Sequence, residues 1–168
     1  MAANRSQNKR TPTPVALVCG ALLAGLLAVG CQDTPALFYQ SSDGRSLSKP
    51  AGDELVADPQ SPIPDVPKPV GFLFIESRSN SQSSPTQRRV THVYEGLATR
   101  AQAADYYRKT LLGKGWIASQ DTMDASTSVL NFTKGNEGLQ VRVSESGRFL
   151  TVIVQIREQG TLTPPGAP

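Results

Sequence analysis

The side chains able to do chemistry are few and scattered along the chain. There is one histidine, His92, and two cysteines, Cys19 and Cys31. A zinc site needs three or four ligands converging on one point. No metal-ligand spacing surrounds His92, which reads as a partly exposed strand histidine. No G-x-S-x-G elbow presents a serine nucleophile, and Ser144 and Ser146 read as strand-edge and turn serines. Asp121 and Asp124 lie near a loop without the ligand pattern of a calcium site, so they read as solvated loop acids. The glycines punctuate turns and do not join a strand to a helix in the register of a phosphate or dinucleotide loop. What remains is carboxylate chemistry. Two acids about 5 to 9.5 Å apart in a cleft, one with a raised pKa, suffice for glycoside hydrolysis. Glu76, Glu95, Asp105 and Glu137 are the acids a fold would have to bring together, and Glu95 with Asp105 is the pair an envelope hydrolase would use. No spacing favours that pair, so the expectation is no catalytic residue, no metal and no cofactor.

Cys31 is different, because its surroundings carry a pattern. Residues 15–30, VALVCGALLAGLLAVG, form an apolar block preceded by Arg5, Lys9 and Arg10. A basic start, an apolar middle and a small-residue end is the order of an export signal. With Ala28, Val29 and Gly30 placed just before Cys31, it resembles the signal of bacterial lipoproteins. There the peptide is cut immediately before a cysteine whose sulfur takes a diacylglyceryl group. Val29 and Gly30 fit that family, while Ala28 stands where it usually has leucine. The resemblance implies cleavage after Gly30 and lipidation of Cys31. Gln32 lacks the acidic side chain associated with retention at the inner membrane, so it also implies the outer membrane, facing the periplasm. Two other readings stay open. Ala28 and Gly30 also fit ordinary small-x-small secretory cleavage, which would release a soluble binding domain with a free Cys31. An uncleaved anchor would need roughly 20 apolar residues, more than this block supplies.

Charge supports neither a nucleic-acid partner nor a strongly acidic one. The formal charge is +3, but Arg5, Lys9 and Arg10 are the only charged residues before Cys31, and without them 14 basic and 14 acidic side chains balance. Nucleic-acid binding needs a basic face that survives processing. Removal of the signal also takes Cys19, so an acylated Cys31 leaves no free thiol for a nucleophile, a metal or a disulfide.

The elements that must position these residues divide into a signal peptide (1–30), a lipid-anchored Pro/Ser-rich tether (31–68), a domain (69–158) and a disordered tail (159–168). The tether carries Pro35, Pro50, Pro59, Pro62, Pro64 and Pro67, and such a composition reads as disordered or extended. Ile63, Val66 and Val70 suggest that its last part lies against the domain. In the domain, residues 70–75 (VGFLFI) read as a buried strand, 76–87 as a loop containing Pro85, and 88–95 as a second strand stopped by Gly96. Thr99 and Gln102 form a capping-box pattern, and Ala103, Tyr106, Tyr107, Thr110 and Leu111 recur at helical spacing. The pattern predicts a helix over about 100–112, ended by Gly113 and Gly115. Adjacent tyrosines point about 100° apart on a helix, so one of Tyr106 and Tyr107 is expected to be accessible.

Strand-like stretches follow at 116–120, at 128–133 with Leu130 and Phe132 on one face, at 139–144 and at 150–156, with turns at 134–138 and Gly147. Leu139, Val141 and Val143 should face inward and Gln140, Arg142 and Ser144 outward, followed by Leu150, Val152, Val154 and Ile156 inward. Trp116 reads as a packing residue, and Arg88 with Arg89 as a solvated strand end. The expected fold is α+β, one helix packed on an antiparallel sheet in the order ββαβββ. Residues 94–156 resemble a domain of uncharacterised bacterial lipoproteins. The likeness lies in Tyr94 and Gly96, Tyr106 to Arg108, Gly115 and Trp116, Phe132 with Lys134 and Gly135, and Val141 with Val143. The resemblance implies fold and location and adds no catalytic residue. The expected function is therefore a non-enzymatic, lipid-anchored module of the cell envelope. Its expected partners are the membrane, through the anchor, and another envelope protein or polymer.

Overall fold

The computed structural model describes residues 39–84 and 87–159. The expected signal peptide, Gly30, Cys31 and the expected tail beyond Gln159 lie outside the described residues. A short hairpin, β1 (Tyr39–Gln40) and β2 (Ser46–Leu47), comes first. Then follow β3 (Leu73–Phe74), a single 3-10 turn (Glu76–Arg78), β4 (Asn80–Ser83) and β5 (Arg88–Gly96). The helix α1 (Arg100–Gly113) leads to β6 (Ile117–Ala118), β7 (Thr122–Met123), β8 (Thr127–Lys134), β9 (Glu137–Ser146) and β10 (Phe149–Glu158).

One antiparallel sheet carries the domain, in the order β3-β5-β10-β9-β8-β6, with β4 also on β5 and β7 also on β8. The fold is α+β with a single helix on a large antiparallel sheet, but the order is richer than ββαβββ. Four strands of the main sheet, β6, β8, β9 and β10, follow the helix instead of three, β4 and β7 are added within the sheet, and β1–β2 precede it. β4 replaces part of the expected loop. Its four residues are all exposed, so an edge strand solvated on both faces leaves no alternation to read. The opposite happens at 70–75. Gly71 adopts φ +85°, Val70 is exposed, and only Leu73 and Phe74 join the ladder, although Phe72 and Ile75 are buried.

Three long strands follow the sequence pattern closely. Leu139, Val141 and Val143 of β9 and Val152, Val154 and Ile156 of β10 are all fully buried. β10 pairs with β9 through Val154↔Val141 and with β5 through Val152↔Tyr94, which aligns one continuous apolar face. Against it α1 lays Ala103, Ala104, Tyr106, Tyr107 and Leu111. The helix starts where the capping box demands: the Gln102 N–H donates to the Thr99 hydroxyl at 3.2 Å and the Thr99 N–H to Gln102 Oε1 at 2.8 Å. It ends as Gly115 turns left-handed at φ +82°. The Gly135–Asn136 turn joins β8 to β9, with Gly135 at φ +60°.

Gly96 closes β5 for a reason beyond turn geometry. A Cβ there would stand 2.5 Å from the Phe72 ring, so the bare backbone is what admits that ring to the core.

The largest departure lies in the expected tether. Its described part is a strap built into the domain: Leu55, Ile63 and Val66 belong to the main core cluster, and Val66 has no exposed surface. Prolines do not oppose this. They fix an extended course between single apolar anchors and need no partner for an N–H. Val70 N–H donates to Val56 O at 2.8 Å and Asp58 N–H to Lys68 O at 2.9 Å, which closes the strap on itself. Tyr106 hydroxyl donates to Pro67 O at 3.0 Å and Trp116 Nε1–H to Asp65 O at 3.1 Å, which fastens it to the domain. This cover explains why Tyr106 and Tyr107 are both buried, contrary to the expectation that one is accessible.

Candidate functional site

Two open grooves flank α1. The larger, of about 590 Å³, runs between residues 53–57 and the helix. Leu55 and Tyr106 line it as buried apolar surface, while Val56 stands 65% exposed. Its polar rim is organised by pairs: Lys109 with Glu54, and Gln102 Nε2 donating to Asp53 O at 2.7 Å. The Lys109 ammonium holds the Glu54 carboxyl below its usual range. The second groove, of about 420 Å³, shares Asp53 and Gln102 with the first and continues to Tyr39, Lys49 and Arg148. Most of the strap residues here fall in the segment whose prolines read as tether. The one signal that could have found them is the adjacent apolar pair Leu55 and Val56 amid polar neighbours.

The four acids considered for hydrolysis are held in separate places. Glu95 is fully buried on β5, where Ser42 N–H donates to Oε2 at 2.6 Å and Arg78 Nη1 to Oε1 at 2.8 Å. Tyr94 and Gly96 on either side of it face the core under α1, so alternation turns Glu95 to the other face of the sheet. Asp105 stands on α1, paired with Arg108 at 2.8 Å, and is the one of the four that lines the larger groove. The sheet thus separates the Glu95–Asp105 pair. Glu137 is bound to Arg88 at 2.6 Å, and Glu76 lies exposed in the 3-10 turn. A general acid needs a raised pKa. Among the described residues, the carboxyl groups of Asp43, Glu54, Asp58, Asp65 and Asp124 are shifted, and all of them downward by cations or hydrogen bonds.

His92 is buried, 5% exposed, and not the partly exposed residue expected. It faces the core opposite Val154, with the Phe74 ring 4.7 Å away and tilted against it. Both ring nitrogens are engaged: Nε2 with Ser81 Oγ at 2.7 Å and Nδ1 with Tyr94 Oη at 2.9 Å. A serine, a base and an orienting hydroxyl in line have the outline of a nucleophile relay. Ser81, however, sits on the exposed strand β4, whose backbone is paired with β5. The arrangement satisfies a buried imidazole, and burial pushes its pKa down. No group of three or more metal-ligating side chains occurs among the described residues.

Arg88 leaves the expected solvated patch for a clamp. It donates to both oxygens of Asp65 on the strap, at 2.8 and 2.7 Å, and to both of Glu137 on β9, at 2.6 and 2.8 Å. Arg88 and Lys134 lie 5.9 and 5.6 Å from the centre of the buried Trp116 ring. Arg88 first, then Lys134, holds the Asp65 carboxyl below its usual range. Among the described residues Arg89 has no such partner. Asp121 binds Arg108 at 2.9 Å, and Asp124 accepts from Ser126 and Thr127 N–H at 2.8 and 2.6 Å, so both are structural loop acids. Ser144 reaches Thr151 O at 3.4 Å, as a strand serine.

No curated protein and no solved structure matches the chain. A family model described as START domain-like matches residues 75–160, from the end of β3 through the whole helix and the long hairpins. Spanning half of the sequence and every long element of the sheet, that match places the chain in the START domain-like family.

Proposed function

We propose that the protein is a non-enzymatic binding module, lipid-anchored at Cys31 to the cell envelope, with the outer membrane facing the periplasm as its location. START-like domains are generally binding modules. The observation that carries the reading is the groove of about 590 Å³ between the strap and α1, with its apolar lining and paired rim. Its size lies in the range of ligand sites. Glu54 on its rim is paired with Lys109, and Asp105 with Arg108 beside it, as in a recognition surface. The anchor is supported by the apolar block and small residues before Cys31. Stable anchoring takes more than one acyl chain, at about 0.8 kcal/mol per buried methylene.

Two measurements test this. The mass of the mature N-terminus should show a diacylglyceryl-modified Cys31; an unmodified cysteine would remove the anchor. Crosslinking in intact envelopes should then give a discrete adduct with the wild-type chain that is lost in Val56→Asp, a change at an exposed position that leaves the core alone. Turnover of an envelope glycan by the wild-type protein, abolished in Asp105→Asn, would overturn the binding-module reading.

A further inference from the structure

The packing of the strap onto the domain limits how far Cys31 can lie from it. Had residues 32–68 all been coil, the domain could stand well clear of the bilayer. Only seven residues of the sequence lie between Cys31 and β1 at Tyr39. Eight chain steps span at most about 29 Å whatever course they take. A folded unit of about 120 residues has a radius of gyration of about 14 Å. The link is therefore too short for the domain to present its far side to the membrane.

What stands at the near side is the second groove. Tyr39 of β1 lines it together with Pro50, Leu97, Lys49, Arg148 and Asp53. Lys49 and Arg148 are exposed and have no carboxylate partner among the described residues, whereas the strap's other cations, Arg45 and Lys68, are paired with Asp43 and Asp58. Among the described residues Asp53 is the one acid that lines the groove with them. Two exposed cations beside half-buried apolar surface and a tyrosine match the interface of a bilayer, where Tyr sits at head-group level and basic side chains meet phosphates.

We infer that this groove is a membrane-docking surface: Lys49 and Arg148 bind phosphates of anionic phospholipids, Tyr39 seats at head-group depth, and the larger groove is left open for the partner. The inference rests on the anchor at Cys31, and its test separates the two. Gly52 lines the groove and a Cβ there would meet nothing, so Gly52→Cys accepts a nitroxide label without strain. Ser83 pairs with Arg88, at the end of β5 opposite to Gly96 and Leu97, about 26 Å away along the strand. In lipidated protein on phosphatidylglycerol vesicles, the label at 52 should be shielded from an aqueous relaxant and the label at 83 fully open to it. Equal access at both positions would overturn the docking surface while leaving the anchor intact. A Cys31→Ser chain, which cannot be acylated, should still bind these vesicles weakly. Lys49→Gln and Arg148→Gln should each lower that binding about fivefold. Unchanged binding in both variants would remove the phosphate contact. Absence of acyl mass at Cys31 with label contrast retained would remove the anchor alone.

Discussion

His92 shows how far a single side chain can be read. In the sequence it stands without metal-ligand spacing around it, and its burial is not legible there, because the cover comes from Phe74 on another strand and Ser81 on a strand the pattern hides. The buried ring has a consequence for stability. Desolvation lowers its pKa in the folded state, so between the unfolded value of about 6.5 and the folded value the unfolded chain binds more protons. Stability contributed by the neutral ring is full above about 6.5 and is lost as pH falls through the folded pKa. The lowered carboxylates act at lower pH, below about 4.5. Because the chain holds one histidine, the effect can be assigned. Urea midpoints should fall between pH 7.5 and 5.5 in the wild type, and His92→Gln, itself less stable, should show no such fall. An equal slope in the variant would place the proton uptake elsewhere.

At the scale of elements, legibility followed burial on one face only. The helix was marked at both ends, by the Thr99–Gln102 box and by Gly115, and it was found within one residue of its predicted span. β9 and β10 alternate because one face packs under α1 and the other is half-solvated, so their register was written in period two. β4, exposed throughout, and β3, cut short by Gly71, carry no such period. The register of β9 yields a paired test. Val141→Asp places an unpaired charge among fully buried side chains and should cost about 3 kcal/mol or more. Arg142→Asp, one residue along, changes a half-exposed side chain with no ion-pair partner among the described residues and should stay within about 0.5 kcal/mol. Similar losses in both, by urea denaturation, would show that the strand is shifted by one residue.

At the scale of the whole molecule, the boundary between tether and domain is where sequence and structure part. Composition marks residues 31–68 as linker because prolines and polar residues dominate it, and three apolar anchors separated by eight and three residues form no helix or strand period. Their partners lie far along the chain: Asp65 meets Trp116, Lys134 and Arg88, and Pro67 meets Tyr106. Burying Leu55, Ile63 and Val66 is worth about 1.5 to 3 kcal/mol each, roughly 5 to 9 kcal/mol together. A domain's entire net stability is about 5 to 15 kcal/mol. Removing the strap would also leave the Trp116 N–H and Tyr106 hydroxyl without their acceptors and Arg88 without one of its two carboxylates. A chain starting at Pro69, the domain boundary that composition suggests, should therefore lack a cooperative thermal transition. One starting at Ala36 should unfold cooperatively with near-native indole fluorescence. If the shorter chain melts like the longer one, the strap is a passive cover, and the short-tether argument for a membrane-facing groove weakens with it.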